Sequence, residues 1–213
     1  MAASSSGRVF AIVPAAGLSR RMGQPKLLMD LAGTAVIDRL LAALDIPAVT
    51  DRVVVLRAED SRLAAAVRAA GGSVLQPDTA PPDMKASVAC AIEYVQRVHR
   101  PRDDDAWLLT PGDHPLLEAP VVQTVVEDWF RSRPEALIPT YQDRRGHPVV
   151  FKWSVSRLVP TIPSDQGLNW LMHSGRIDVQ SLALKTSAIL QDLDTPEDYQ
   201  RLQGQVQARG DSH

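Results

Sequence analysis

From residue 9 to residue 131 the same order of elements occurs four times, without sequence similarity between them: a short apolar run, a turn, then a segment with helical spacing. The runs are 9–14 (VFAIVP), 51–56 (DRVVVL), 73–75 (SVL) and 106–110 (AWLLT). The first and last are apolar throughout rather than alternating, which marks strands buried on both faces, as in a parallel sheet. The segments at 35–44, 61–70, 85–99 and 120–131 read as helices. In the first, apolar residues recur at 36, 37, 40, 41 and 44 behind Thr34 as N-cap, and Gly71-Gly72 stops the second. Strands alternating with helices imply right-handed crossovers and a mostly parallel central sheet flanked by helices.

Beyond residue 131 the pattern loosens. Strands are expected at 137–139, 147–151 and 188–193, with a helix at 166–173 between them. The segment 196–207 closes the chain as a helix, with Thr195 as N-cap and Pro196 in its first position. The least regular stretch, 141–146, is expected to be a mobile substrate loop. No repeat or linker divides the 213 residues. A single domain over 8–209 follows, behind a small, polar segment at 1–7 that is expected to be disordered.

Composition narrows the function. A net charge of −2 argues against general nucleic-acid or membrane-surface binding. No apolar run approaches the ~20 residues of a membrane span. The first residues lack the plan of a secretory signal, so cytoplasm is the expected compartment. One cysteine, Cys90, excludes a disulfide scaffold and a Cys-rich zinc site. Cys90 (beside Val88 and Ile92) and Trp107 read as core, and the run at 100–105 (RPRDDD) as a solvated connection.

In open α/β sheets ligands bind beyond the carboxyl ends of the strands, and the unusual sequences fall there. After the first strand comes PAAGLSRRMGQPK, residues 14–26. Ala15, Ala16 and Ser19 are small, and Gly17 and Gly23 can take backbone angles closed to other residues. Arg20, Arg21 and Lys26 add exposed positive charge, which suits a polyphosphate. Neither the P-loop nor the GxGxxG fingerprint is present, which also argues against a nicotinamide oxidoreductase. After the fourth strand, Asp113 in GDHP can hold Mg²⁺ or serve as a turn residue bonding its own backbone. Asp192 and Asp194 either join that metal or cap the last helix. His114 and His147 lack a third ligand for a metal site of their own.

The loop AAGLSRRMGQPKLL resembles the signature of the MobA-like nucleotidyltransferases, and within them is most similar to the molybdenum cofactor cytidylyltransferases. The likeness runs from about residue 9 to 200, through Pro77-Asp78, Met84-Lys85-Ala86-Ser87, Gly112-Asp113-His114-Pro115, Arg145-Gly146-His147-Pro148 and Asp192-Leu193-Asp194-Thr195-Pro196-Glu197-Asp198. It implies a Rossmann-like nucleotidyltransferase fold and transfer of NMP, CMP from CTP being favoured, to a molybdopterin-type phosphorylated acceptor. It implies that Ala15, Ala16, Gly17, Ser19, Asp78 and Ser87 bind the nucleotide and that Arg21 and Lys26 hold its phosphates. Asp113 and Asp194 would carry Mg²⁺, or Mn²⁺ in its place, with Asp192 as the fallback. Arg21, Lys26 and Asp113 would be catalytic, and His147 would meet the acceptor. A molybdenum hydroxylase is an implied partner. The chain departs from the pattern at Pro81-Pro82-Asp83, where relatives carry a glycine, and at His114, where they carry GDQP or GDMP. Transfer from GTP, a sugar or polyol phosphate acceptor, and a non-catalytic cofactor chaperone remain the alternatives.

Overall fold

The computed structural model describes residues 7–210, with side chains through residue 208. Apart from Gly7, the lead-in expected to be disordered lies outside the described residues. The strands are β1 (Val9–Pro14), β2 (Val49–Val55), β3 (Ser73–Leu75), β4 (Ala106–Leu109), β5 (Ala136–Tyr141), β6 (Arg144–Arg145), β7 (Val149–Lys152) and β8 (Val179–Ala183). The helices are α1 (Val36–Ala43), α2 (Ser61–Ala69), α3 (Met84–His99), α4 (Ala119–Ser132), α5 (Asn169–His173) and α6 (Pro196–Gly210). No helix among the described residues is long and apolar enough to cross a membrane.

The strands form one sheet in the order β3-β2-β1-β4-β7-β5-β6, with β8 pairing β5. β1 pairs in parallel with β2 and β4, β2 with β3, and β5 with β8, while β7 and β6 run antiparallel to their neighbours. This is a single α/β domain with a mostly parallel sheet. The alternation of side chains along β1 decides which layer each residue joins. Val9, Ala11 and Val13 pack with α1, α2 and α4, whereas Phe10 and Ile12 face α3 and the segment after β7. All five are fully buried. Each of the larger ones contributes about 1.5–3 kcal/mol on burial. Trp107 of β4 is core as expected, with its ring stacked on Phe151 at 4.2 Å.

Several local expectations are corrected. The residue at the start of α1 is Ala35, not Thr34, and no side chain caps that helix. The stretch expected as a strand at 188–193 contains a 3₁₀ turn, Ser187–Leu190. Two strands were not expected, β6 and β8; the residues of β8 are only half-buried or exposed, so no apolar run announces it. The helix expected at 166–173 is confined to α5, and the chain before it, Trp153–Thr161, forms 3₁₀ turns. Cys90 is half-buried on α3 rather than core, and burial raises its thiol pKa.

Two corrections change a role. The expected loop at 141–146 is a tight hairpin: Tyr141 pairs Arg144, and Gln142 and Asp143 take φ of 49° and 62°. Two consecutive left-handed residues form the primed turn that matches strand twist. In RPRDDD, Asp105 is fully buried rather than solvated. Its carboxylate accepts from the backbone N–H groups of Arg8 and Arg102, both at 2.9 Å, and from the Arg8 guanidinium at 2.8 Å. Those donors outweigh the cost of burial and hold the Asp105 pKa below its ordinary value.

Candidate active site

β1 ends at Pro14 and the signature loop begins where the Ala15 N–H donates to the Val55 carbonyl at 2.9 Å. On the other side, the Gly112 N–H donates to the Pro14 carbonyl at 3.1 Å. A Cβ on Gly112 would lie 3.2 Å from Leu27 and 3.3 Å from Ala15, so glycine lets the turn after β4 approach the loop closely. The left-handed angles of the loop fall at Ser19 (φ 48°) and Gly23 (φ 66°), not at Gly17. The Ser19 hydroxyl oxygen accepts from the Lys26 N–H at 3.4 Å, and Leu27 is anchored in the core. Lys26 is thereby aimed inward.

Its ammonium lies 2.6 Å from Asp113 Oδ2 and 2.9 Å from Asp194 Oδ1. The Lys26 side chain is 14% exposed, so the exposed cation expected from the sequence is a half-buried one. Arg21, which is exposed, reaches Asp194 Oδ2 at 2.8 Å. The contact between residues so far apart in sequence is stitched by the backbone, where the Leu193 N–H donates to the Asp113 carbonyl at 2.9 Å. The capping of α6 falls to Thr195 and Asp198. The Thr195 Oγ1 accepts from the Asp198 N–H at 3.2 Å, and the Asp198 carboxylate accepts from the Thr195 N–H at 3.0 Å. That division of labour leaves the Asp194 carboxylate free to face Lys26. Asp192 is exposed and makes no hydrogen bond or ion pair among the described residues.

Burial alone would raise the Asp113 pKa, but the hydrogen bond from His114 and the Lys26 charge hold it well below the usual carboxylate range. For Lys26 the balance is similar: burial opposes its charge, and the two carboxylates raise its pKa nonetheless.

Two cavities meet at Asp113. One, of about 230 Å³, is lined by Ala15, Ala16, Gly17, Ser19, Lys26 and Ser87, with four prolines among its other walls. The structure thus brings Ala15, Ala16, Gly17, Ser19, Lys26 and Ser87 together, whereas Asp78 and Arg21, both exposed, are absent from both cavity walls. The departure at Pro81-Pro82-Asp83 has a local reason. Asp83 caps α3 by accepting the Ala86 N–H at 2.7 Å, and the buried Ser87 hydroxyl donates to the Asp83 carbonyl at 3.1 Å.

The other cavity, of about 510 Å³, is lined by Asp113, His114, His147, Asp192 and Asp194 and by the β6 arginines. His114 and His147 meet ring edge to ring face at 5.0 Å. His147 Nδ1 lies 3.3 Å from the Leu109 carbonyl oxygen, and burial, with His114 beside it, pushes its pKa down to about 4. Met84, 44% exposed, lines both cavities; the sequence placed it in the MKAS segment but gave it no role of its own. Its neighbours in MKAS were legible, but no pattern distinguishes an exposed methionine at a helix start from one in a core.

Among the described residues no group of three or more His, Cys, Asp or Glu is placed to hold a metal ion. Asp113 and Asp194 nevertheless converge on a single cationic point, now taken by the Lys26 ammonium. Two hard oxygen donors fit Mg²⁺ or Mn²⁺, which complete their shell with substrate phosphates and water.

The pattern of the MobA-like NTP transferase domain matches residues 11–179. The molybdenum cofactor cytidylyltransferase of Escherichia coli (strain K12) is 25% identical over 189 residues, covering 88% of this chain and 92% of its own. The 3-deoxy-manno-octulosonate cytidylyltransferase of Maricaulis maris (strain MCS10) is 36% identical over 121 residues, 56% of this chain and 43% of that one. Among solved structures, Rv0371c from Mycobacterium tuberculosis H37Rv superposes with a TM-score of 0.77 at 26% identity, covering 92% of this chain and 98% of that one. Rv0371c has also been solved in complex with manganese, with a TM-score of 0.70 to this chain.

Proposed function

Since the chain belongs to the MobA-like NTP transferase family and is a nucleotidyltransferase, we propose that it transfers CMP from CTP to the terminal phosphate of a molybdopterin-type acceptor. The observation that carries this reading is the convergence of Lys26, Asp113 and Asp194 at the junction of the two cavities. The smaller cavity takes the base and ribose along Ala15, Ala16, Gly17 and Ser87, and the triphosphate follows the loop to Ser19, Arg21 and Lys26. The larger cavity receives the acceptor beside His147. An oxygen of the acceptor phosphate attacks the α-phosphorus, the bond to the β-phosphate oxygen breaks, and pyrophosphate leaves. A phosphate nucleophile is already ionised at neutral pH, so no side-chain base is needed.

The protein's own part is positioning and charge. Arg21 and Lys26 follow the charge that develops on the leaving pyrophosphate. Asp113 and Asp194 would hold the divalent ion, Mg²⁺ or Mn²⁺. When bound, the ion supplies neutralisation of phosphate charge. Asp113 is ionised at any pH near neutrality, because its pKa is held below the usual range.

The likeness to the E. coli molybdenum cofactor enzyme supports molybdopterin as acceptor, and both cytidylyltransferases among the relatives support CTP as donor. The likeness to a sugar-acid cytidylyltransferase favours a second reading, the same donor with a different acceptor. A cytoplasmic enzyme that passes its product to a molybdenum hydroxylase completes the first reading. Isothermal titration with CTP, GTP, ATP and UTP, with and without Mg²⁺, tests the donor. Pyrophosphate release on adding molybdopterin then tests the acceptor. Mg²⁺-dependent preference for CTP with molybdopterin-dependent release is the expected result. Preference for GTP moves the reading to guanylyl transfer. CTP binding without release moves it to another acceptor, and no nucleotide binding favours a cofactor chaperone.

A further inference from the structure

The larger cleft shares Asp113 with the nucleotide cavity and is lined by Asp192 and Asp194 as well, so a nucleophile approaching from it passes three carboxylates. An anionic nucleophile is repelled there unless cations compensate. Lys26 and Arg21 are already committed to carboxylates. His147, its pKa lowered by burial, supplies no charge at neutral pH. The remaining cations on this wall are Arg144 and Arg145 of β6, both exposed. Neither pairs with a carboxylate among the described residues, and Arg145 Nη1 lies 3.3 Å from His173 Nε2.

Their mount is rigid. The Gly146 N–H donates to the Pro139 carbonyl and the His147 N–H to the Ile189 carbonyl, both at 2.9 Å. A Cβ on Gly146 would stand 2.4 Å from that Ile189 oxygen, so only glycine lets the hairpin stem lie against the 187–190 turn. The tight turn at Gln142-Asp143 fixes the other end.

Building on the nucleotidyltransferase reading, we propose that Arg144 and Arg145 grip the anionic group of the acceptor and select a phosphomonoester over a neutral hydroxyl acceptor. The planar guanidinium fork matches a phosphate with two parallel N–H···O bonds. Two forks without a carboxylate partner, beside a wall of carboxylates, offset the repulsion the phosphate meets on its way to the α-phosphorus. A neutral hydroxyl would need neither.

The test uses the full chain saturated with Mg²⁺ and α,β-methylene-CTP, which fills the nucleotide side without reacting. Phenyl phosphate and, as the neutral control, benzyl alcohol are then titrated calorimetrically. Wild type is expected to bind phenyl phosphate and not benzyl alcohol. The double variant Arg144→Gln/Arg145→Gln is expected to lose roughly tenfold or more in phenyl phosphate affinity, with partial recovery in Arg144→Lys/Arg145→Lys. Its affinity for the CTP analogue should stay within about twofold, as for exposed residues outside the nucleotide cavity. Unchanged phenyl phosphate affinity in the Gln variant, equal binding of benzyl alcohol, or no phenyl phosphate binding by wild type overturns the proposal. Loss of analogue affinity in the Gln variant also overturns it, since the arginines would then serve the nucleotide. If wild type fails to bind the CTP analogue, it is the cytidylyl premise that falls, and the proposal with it.

Discussion

On the nucleotide wall the cations are closed onto carboxylates, Lys26 at 2.6 Å from Asp113 and Arg21 at 2.8 Å from Asp194. On the wall proposed for the acceptor, Arg144 and Arg145 pair with no carboxylate among the described residues, and position is held instead by backbone bonds at Gly146 and His147. The first wall is assembled by charge, the second by close packing of main chain. The difference teaches where each wall is fragile. Removing a charge from the first wall should disable it and spare the second, and adding a methyl group at the stem of the second should do the reverse.

The largest expected effect is that of Lys26→Ala. It removes the cation shared by two carboxylates and should lower single-turnover nucleotidyl transfer by roughly 10²–10³-fold. Acceptor affinity should hold. An unchanged rate in the folded variant would sink the phosphate role of Lys26. Because Lys26 is half-buried between Asp113 and Asp194, some loss of denaturation midpoint is expected as well.

Next comes Gly146→Ala. The new methyl group meets the Ile189 carbonyl, and a stability loss of about 1–3 kcal/mol is expected in urea denaturation. Phenyl phosphate binding should fall while CTP binding persists. An equal loss of both would show that the two walls are not separable.

A smaller effect is set by pH. Folding holds the His147 pKa down to about 4, below its ordinary value of 6.5, so the unfolded chain binds the proton more readily. Stability from this group is complete above pH 6.5 and is lost as pH falls toward 4, by up to about 1.4 kcal/mol per pH unit. Denaturation of wild type and His147→Asn at pH 7 and pH 5 measures it, the variant being expected to show the flatter dependence. An identical slope in both would mean that His147 is not the group responsible.

The smallest effect sharpens the assignment of carboxylates. Asp192→Asn should change stability by no more than about 0.5 kcal/mol and leave transfer nearly unaltered, since Asp192 is exposed and unpaired. Asp194→Asn should slow transfer clearly. The reverse ranking would make Asp192 the partner of Asp113.

The legibility of the chain divides along the same line as its walls. β1, β2, β4 and the helices between them were readable because each buried strand is an apolar run and each helix shows its period. The nucleotide wall sits on those elements, and its signature loop is contiguous in sequence. The second half was read poorly. β8 carries no apolar alternation, being an exposed edge, and the hairpin at 141–146 uses Gln142-Asp143 in place of a glycine-bearing turn. Asp105 hid among charged neighbours because nothing in DDD tells which carboxylate Arg8 will bury.

By itself the sequence determined the layered α/β plan, the loop over 14–26 and the residue types that the chemistry requires. Those are set by local periodicity and by groups adjacent in the chain. Only the tertiary structure decided that Lys26 joins Asp113 to Asp194, that Asp198 rather than Asp192 or Asp194 joins the expected Thr195 in capping the last helix, and that Asp78 stands apart from the cavities. The reason is physical. Ion pairs form between groups that the backbone brings within a few ångströms. Here one N–H···O bond, from Leu193 to Asp113, brings together residues that no local pattern could relate.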